Sequence, residues 1–307
     1  MKQPDIVGIG SSVYDTLMIL PEFPKEDTKL EGLETKVQGG GPCATALVAA
    51  QKLGIPSAWM GTMGDDAFGR FMMQDFARWG VNTEAVRLVP GCVSFHSVVL
   101  LNRAAGSRTC IWNRGTVPPP RPEDMDEAML RGAKVLHVDG HMLDAAVAMA
   151  RKCRGWGVRV SYDAGGTYPG VERLLPLADW LIPSEEFALK VTGARTAEDA
   201  AGALWEKYHP EALVITQGVR GGLLMDEKGL RRYPAFRVDV VDSNGSGDTF
   251  HGAFAAAMVR GMNRDDACVY ASAAAAIKCT RLGARLAMAN DEECRAFLKE
   301  RGVTLSL

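Results

Sequence analysis

Asp242-Ser243-Asn244-Gly245-Ser246-Gly247-Asp248-Thr249-Phe250 is the stretch around which the rest of the chain is organised. Residues 233–241 before it have the apolar and β-branched content of a strand, and residues 250–259 after it are Ala- and Met-rich with apolar positions at helical spacing. The glycines therefore fall on a strand-to-helix turn. The first N–H groups of a helix have no intrahelical acceptor, and the helix dipole adds positive charge at the same end. Such a turn is an anion site suited to phosphate. Gly245 and Gly247 let the backbone approach a phosphate closely, and Asp248 is set in the first helical turn facing the same space. Two roles suit Asp248. It can stabilise the helix end, as acidic residues there commonly do. It can also take the proton of a substrate hydroxyl while the amides of Gly245, Ser246 and Gly247 hold the charge of a phosphoryl group in transfer.

Composition narrows the setting. The 307 residues are 47% hydrophobic and 23% charged, proportions of a globular chain with a large buried core. A formal net charge of −2 without a Lys/Arg block argues against nucleic acid or an anionic membrane as partner. Seven dispersed cysteines with no C-x-x-C pair read as free thiols of a reducing compartment. The N-terminus runs straight into a strand pattern, and no apolar run approaches the ~20 residues of a membrane span, so the expected location is cytoplasmic.

Residues 5–10 read as a short strand ending in Gly8-Ile-Gly10, half of a dinucleotide-binding turn. The third glycine is missing, and Pro21 and Pro24 break the segment that would have to be the following helix, which argues against an oxidoreductase of that type. Residues 32–37 resume a strand pattern and lead through Gly39-Gly40-Gly41 into an Ala/Leu helix, with Pro42 in its first turn and Gly54 at its end. A strand-turn-helix unit follows, with Asp65 or Asp66 expected to cap a helix over 71–79. Residues 94–102 and 108–113 read as a hairpin across Ala-Ala-Gly-Ser. From residue 134 strand and helix patterns alternate, which predicts a doubly wound α/β fold with a mainly parallel sheet. His137 and His141 are separated by Asp139-Gly140 and have no evident third partner, so a zinc site is not expected.

The stretch from Asp242 to Ala253 closely resembles the C-terminal signature of the ribokinase-like (PfkB) carbohydrate kinases, near D-[ST]-x-G-[AS]-G-D-x-x-x-G-A. Gly-Gly before the Ala/Leu helix, Met60-Gly-Thr-Met-Gly-Asp-Asp-Ala-Phe-Gly69 and Thr216-Gln-Gly-Val-Arg-Gly221 are similar to three further landmarks of that family, in the same order along nearly the whole chain. The resemblance implies one kinase domain over residues 1–307, with lid strands inserted at about 14–38 and 93–115 that fold over the sugar and exclude water. It implies an ATP-dependent phosphotransferase acting on a sugar hydroxyl, expected to be primary, with magnesium as cofactor. The alternatives are a nucleoside kinase of the same fold and a non-catalytic nucleotide or sugar sensor.

Individual residues follow from the same resemblance. Asp15, Gly40 and Gly41 would hold the sugar, and Thr45 stands where the family has an amide-bearing Asn, offering a shorter hydroxyl. Thr216, Gly218 and Gly221 would contact ATP phosphates, and Gly283 would pass near the adenine. No G-x-x-x-x-G-K-[ST] occurs, so the phosphates fall to the Gly245–Asp248 turn. The family's N-x-x-E reads Ser184-Glu185-Glu186-Phe187, so Ser184 takes the nucleotide-side position. Glu185 or Glu186 takes over the magnesium waters, or the ion is held mostly by ATP and water. Asp242 and the Ser243-Asn244 backbone correspond to a potassium site, and a homodimer through the lid is expected. Motif wording is nearest to the branch that includes sulfofructose kinases, in which Lys29 corresponds to a sulfonate contact and the Asn falls at Trp112 or Asn113. The Arg of that branch falls near Gly140, and glycine cannot clamp a sulfonate, so that substrate is not assigned.

Overall fold

Ile6, Val7, Gly8 and Ile9 are all buried, so the first strand, β1 (Ile6–Ile9), is covered on both faces, as a parallel sheet sandwiched between helices requires. The computed structural model describes residues 3–105 and 107–306; Gly106, inside the expected hairpin turn, lies outside the described residues. After β1 come β2 (Val13–Leu20), β3 (Glu34–Gly40), α1 (Pro42–Lys52), β4 (Ser57–Trp59), β5 (Gly61–Gly64), α2 (Ala67–Trp79) and β6 (Val86–Val89). The hairpin strands β7 (His96–Asn102) and β8 (Ser107–Asn113) precede α3 (Glu127–Arg131), β9 (Val135–Val138), α4 (Leu143–Trp156) and β10 (Arg159–Ala164). Next are β11 (Trp180–Pro183), α5 (Glu185–Thr192), α6 (Ala197–Tyr208), β12 (Ala212–Thr216), β13 (Gly222–Asp226) and β14 (Gly229–Tyr233). The chain closes with α7 (Ser246–Val259), α8 (Arg264–Cys279) and α9 (Asp291–Glu300).

The main sheet has the order β14-β13-β12-β11-β10-β9-β1-β4. It is parallel from β12 to β4 and antiparallel at β13 and β14. Strand residues alternate between two cores. Ile6, Val135, Ile182 and Val214 pack with α1, α7 and α8. Val7, Leu136, Leu181 and Leu213 pack with α4, α5 and α6 on the other face. Helices α1 and α7 touch at backbone distance, since a Cβ on Gly252 would stand 2.1 Å from the Ala46 carbonyl oxygen. That contact brings the N-terminal turns of the two helices together.

The second sheet, β3-β2-β7-β8, has four strands. Its period-2 alternation sends Asp15, Ser97 and Cys110 to one face, while Val37, Val98 and Ile111 are exposed. These three exposed residues lie in register across Thr16 as one apolar row.

Three local expectations are corrected. The strand expected over 233–241 ends at Tyr233, because Pro234 has no N–H to extend the ladder. The amides of Val241 and Asp242 instead donate to the Cys279 carbonyl at 2.8 and 3.1 Å, which ties the turn to the end of α8. The strand expected over 32–37 starts at Glu34 and continues through Gly39 and Gly40. The helix expected from residue 71 starts at Ala67, and Asp66 is its cap, accepting from the Gly69 amide at 2.8 Å. Among the described residues no helix is long and apolar enough to cross a membrane.

Candidate active site

Ligands of open α/β sheets bind outside the carboxyl ends of the strands, and the polar groups gather there. Ser11 follows β1, Asp139 follows β9, Asp163 is near the end of β10, and Thr216 ends β12. Asp139 ties this edge together. Its carboxylate accepts from the Ser11 amide at 2.9 Å, the Ser11 hydroxyl at 2.5 Å, the Cys43 amide at 3.0 Å and the His141 amide at 3.0 Å. Burial opposes its ionisation, but the nearby His141 and the Ser11 bonds outweigh burial and hold the carboxyl below the usual range.

Gly245 enters α7 with φ 77°, a left-handed conformation that favours glycine. A Cβ on Gly247 would meet nothing within 4 Å, so the space before the turn is open to a ligand. Asp248 is the acidic residue of the first turn, and no side chain caps this helix end, so the capping role is not taken by Asp248. Burial, then repulsion by Asp139, pushes its carboxyl up to about 6, with Arg285 pulling the other way. A group poised near neutrality is suited to proton abstraction.

The turn has a cavity on each side. The first, ≈ 380 Å³, is polar-lined by Asp15, Gly40, Gly41, Thr45, Ser97 and Asp248, with Arg108, His141 and Tyr168 around them. Asp15 accepts from the Ser97 hydroxyl at 2.6 Å, and burial raises its carboxyl above the usual range. A Cβ on Gly40 would stand 1.9 Å from Asp15 Oδ2, so the carboxylate occupies the place of a side chain. The second cavity, ≈ 470 Å³, is largely apolar, lined by Val219, Tyr233, Phe236, Val240, Phe250 and Ala276, with Thr216, Gly218 and Gly221 at one end. Ser243, Ser246 and Gly247 line both. The lid reaches this turn directly, since Arg108 Nη1 donates to Ser243 Oγ at 3.1 Å.

Several expected site residues stand elsewhere. Lys29 is exposed on the loop between β2 and β3, outside both cavities. Asn113 caps a turn, accepting from the Gly115 amide at 2.8 Å; Trp112 is the neighbour that lines the polar cavity. Ser184 caps α5 by accepting from the Phe187 amide at 3.1 Å. Glu185 accepts from Gln217 at 2.7 Å and pairs with Arg220. Gly283 lies outside the apolar cavity and donates its amide to Asp242 Oδ2 at 2.9 Å. At Asp242 the charge facing the carboxylate is the buried Lys278 ammonium, whose Nζ donates to the Asp242 carbonyl at 2.5 Å. Burial lowers the Lys278 pKa, and Asp242 opposes that shift.

Sequence reasoning missed Arg285, which is 2% exposed. It pairs with Asp75 and donates to the Gly40 carbonyl at 2.8 Å, with Nε 3.5 Å from Thr45 Oγ1. It missed Asp163, whose Oδ1 lies 3.2 Å from His251 Nε2. Burial and the charge of Asp248 push Asp163 well up, and burial pushes His251 well down, so both favour their neutral forms. Asp139 and Asp163 had a legible signal, an Asp closing a buried apolar strand. Arg285 had none.

A glycine-rich helix-entry turn with a carboxylate on it, shared by a polar cavity under a small β-sheet and an apolar cleft, fits an ATP-dependent carbohydrate kinase of the ribokinase-like class. The model of the pfkB family carbohydrate kinases matches residues 3–291, and the chain belongs to that family. It is 28% identical over 298 residues to the ATP-dependent ribose-1-phosphate kinase of Halopiger xanaduensis, covering 96% of this chain and 98% of that protein. The deoxyribokinase of Salmonella typhi is 28% identical over 306 residues, covering 96% and 98%. The structure of Arabidopsis thaliana ribokinase complexed with ribose and ATP superposes with a TM-score of 0.84 at 26% identity, covering 96% of this chain and 99% of that one.

Proposed function

We propose that Asp248 removes the proton of a primary sugar hydroxyl while the amides of Gly245, Ser246 and Gly247 hold the phosphoryl group coming from ATP. The observation that carries this reading is that Ser243, Ser246 and Gly247 line both cavities, so a group passing from cleft to cavity crosses the turn that bears Asp248. Asp15, Gly40, Gly41 and Thr45 hold the sugar. Thr216, Gly218 and Gly221 hold the nucleotide, with its base in the apolar cleft, which suits a planar ring. Arg108 adds a cation against the same turn, where negative charge builds up in transfer.

Magnesium carried by the triphosphate would supply charge neutralisation there. Glu185 is the carboxylate at the nucleotide loop, and Gln217 and Arg220 already engage it. Glu185 is the residue that would hold the ion's water, in keeping with magnesium's retained hydration. A cytoplasmic location fits the seven cysteines, all free. The exposed row Val37, Val98 and Ile111 supports a homodimer through the outer lid face.

A sugar that already carries a phosphate is the second reading, favoured by Arg108 in the wall of the sugar-side cavity and by the relative named for ribose 1-phosphate. Turnover of ribose, deoxyribose, ribose 1-phosphate, fructose and a nucleoside with ATP tests both. Phosphorylation of a free sugar supports the first reading, and phosphorylation restricted to ribose 1-phosphate supports the second. Binding without turnover by any of them removes the assignment of Asp248 as base.

A further inference from the structure

Lys278 has a fully buried side chain, and the reaction described above makes no use of it. An ammonium removed from water is unfavourable unless other groups replace its hydration. Here they come from one residue: Nζ donates to the Asp242 carbonyl at 2.5 Å and stands 3.6 Å from Asp242 Oδ2. A simple ion pair would leave that carbonyl to another donor. The same carboxylate accepts from the Asn244 amide at 2.8 Å and the Gly283 amide at 2.9 Å. The end of α8, the loop at Gly283 and the 242–245 turn therefore meet at Asp242, three residues before Gly245, with the Lys278 ammonium held by that one residue. A carbonyl oxygen and a carboxylate oxygen of one residue facing a dehydrated single positive charge form the kind of oxygen pair that a bound monovalent cation would use.

We infer that the Lys278 ammonium is a tethered monovalent cation, which fixes the Asp242–Gly245 turn so that its amides point at the transferred phosphate, and that the enzyme therefore needs no dissolved potassium. Lys278 acts through the turn and touches neither substrate, so it is a positioning residue. The inference rests on the kinase reading above, and its test has an arm independent of sugar turnover.

Wild-type rates are compared in potassium and in tetramethylammonium at constant ionic strength. Equal rates are expected, and activation of several fold by potassium overturns the inference. This arm needs no variant and decides the matter alone if the next one does not fold. In Lys278→Ala, kcat is expected to fall by about 10–100-fold, the scale of a small misplacement of reacting groups, with the sugar KM little changed. Potassium or ammonium ions should restore it, and tetramethylammonium should not. Calorimetry with ATP and with adenosine should show weaker binding of the triphosphate only, whether or not a sugar substrate is in hand. A folded variant with wild-type kcat and ATP affinity overturns the inference, and so does a loss that no small cation restores.

Discussion

Arg285 donates a hydrogen bond of 2.8 Å to the carbonyl of Gly40, joining residues 245 positions apart. The bond fixes the strand whose Gly40 makes room for the Asp15 carboxylate, and the same guanidinium pairs with Asp75 of α2. One buried cation thus connects the C-terminal loop, the small sheet and the polar cavity.

Removing that cation leaves Asp75 without its partner in a largely buried setting. Arg285→Ala should destabilise the fold by about 3–5 kcal/mol, the scale of breaking a buried pair from one side. Denaturant unfolding measures it. A loss below 1 kcal/mol would show that water replaces the guanidinium freely.

Asp248→Asn keeps the size of the side chain and removes the base. Phosphoryl transfer should fall by about two to four orders of magnitude, the range of general-base catalysis, while calorimetry still shows ATP binding. Near-normal turnover would place the base elsewhere.

The pH profile follows from the Asp248 carboxyl, pushed up to about 6 by burial and then by Asp139. The base works deprotonated, so kcat/KM should rise with pH through about 6 and level off above it. Stability runs the other way. The folded protein holds this proton between the ordinary value of 3.8 and about 6, where the unfolded chain has lost it. The Asp248 contribution is therefore intact below 3.8 and lost as pH rises through about 6. Asp248→Asn removes that loss, so its melting temperature should gain on wild type between pH 4 and pH 8. A constant difference across that range would contradict the assignment.

Gly40→Ala would put a methyl group 1.9 Å from Asp15 Oδ2 and displace the carboxylate. The sugar KM should rise by roughly 10–100-fold, the loss of a charged hydrogen bond. The ATP KM should stay close to wild type, since the apolar cleft does not include Gly40. A rise shared equally by both substrates would point to general misfolding instead.

A dimer through the lid predicts a light-scattering mass of twice 33.1 kDa. Val98→Lys with Ile111→Lys puts two charges into the exposed apolar row and should return the mass to the single-chain value. A wild-type mass of one chain removes the dimer.

Much of this was legible in the residues themselves. Strand and helix order follows from periodicity, because an apolar run of Ile6–Ile9 type can be buried only between two layers. The turn was legible because positive φ at Gly245 and open space in front of Gly247 leave few residue choices. Asp248 was legible because a helix start fixes the direction of its first side chains. Other features exist only once distant segments have packed. Whether Lys278 is a solvated surface charge or a buried ammonium on Asp242 depends on what α8 lies against, and nothing near it in sequence says so. Arg285 joins three segments whose meeting is a property of the fold, and Asp163 meets His251 because β10 and α7 are packed together. Lys29 and Asn113 show the converse: correspondence in sequence placed them at the sugar, but neither lines the polar cavity, since Lys29 is exposed on a loop and Asn113 Oδ1 is taken by the Gly115 amide, places that the backbone around them sets. Local chain chemistry determined the elements and the glycine-rich turn into α7, whereas burial of charge, being a relation between segments, was decided by the tertiary structure.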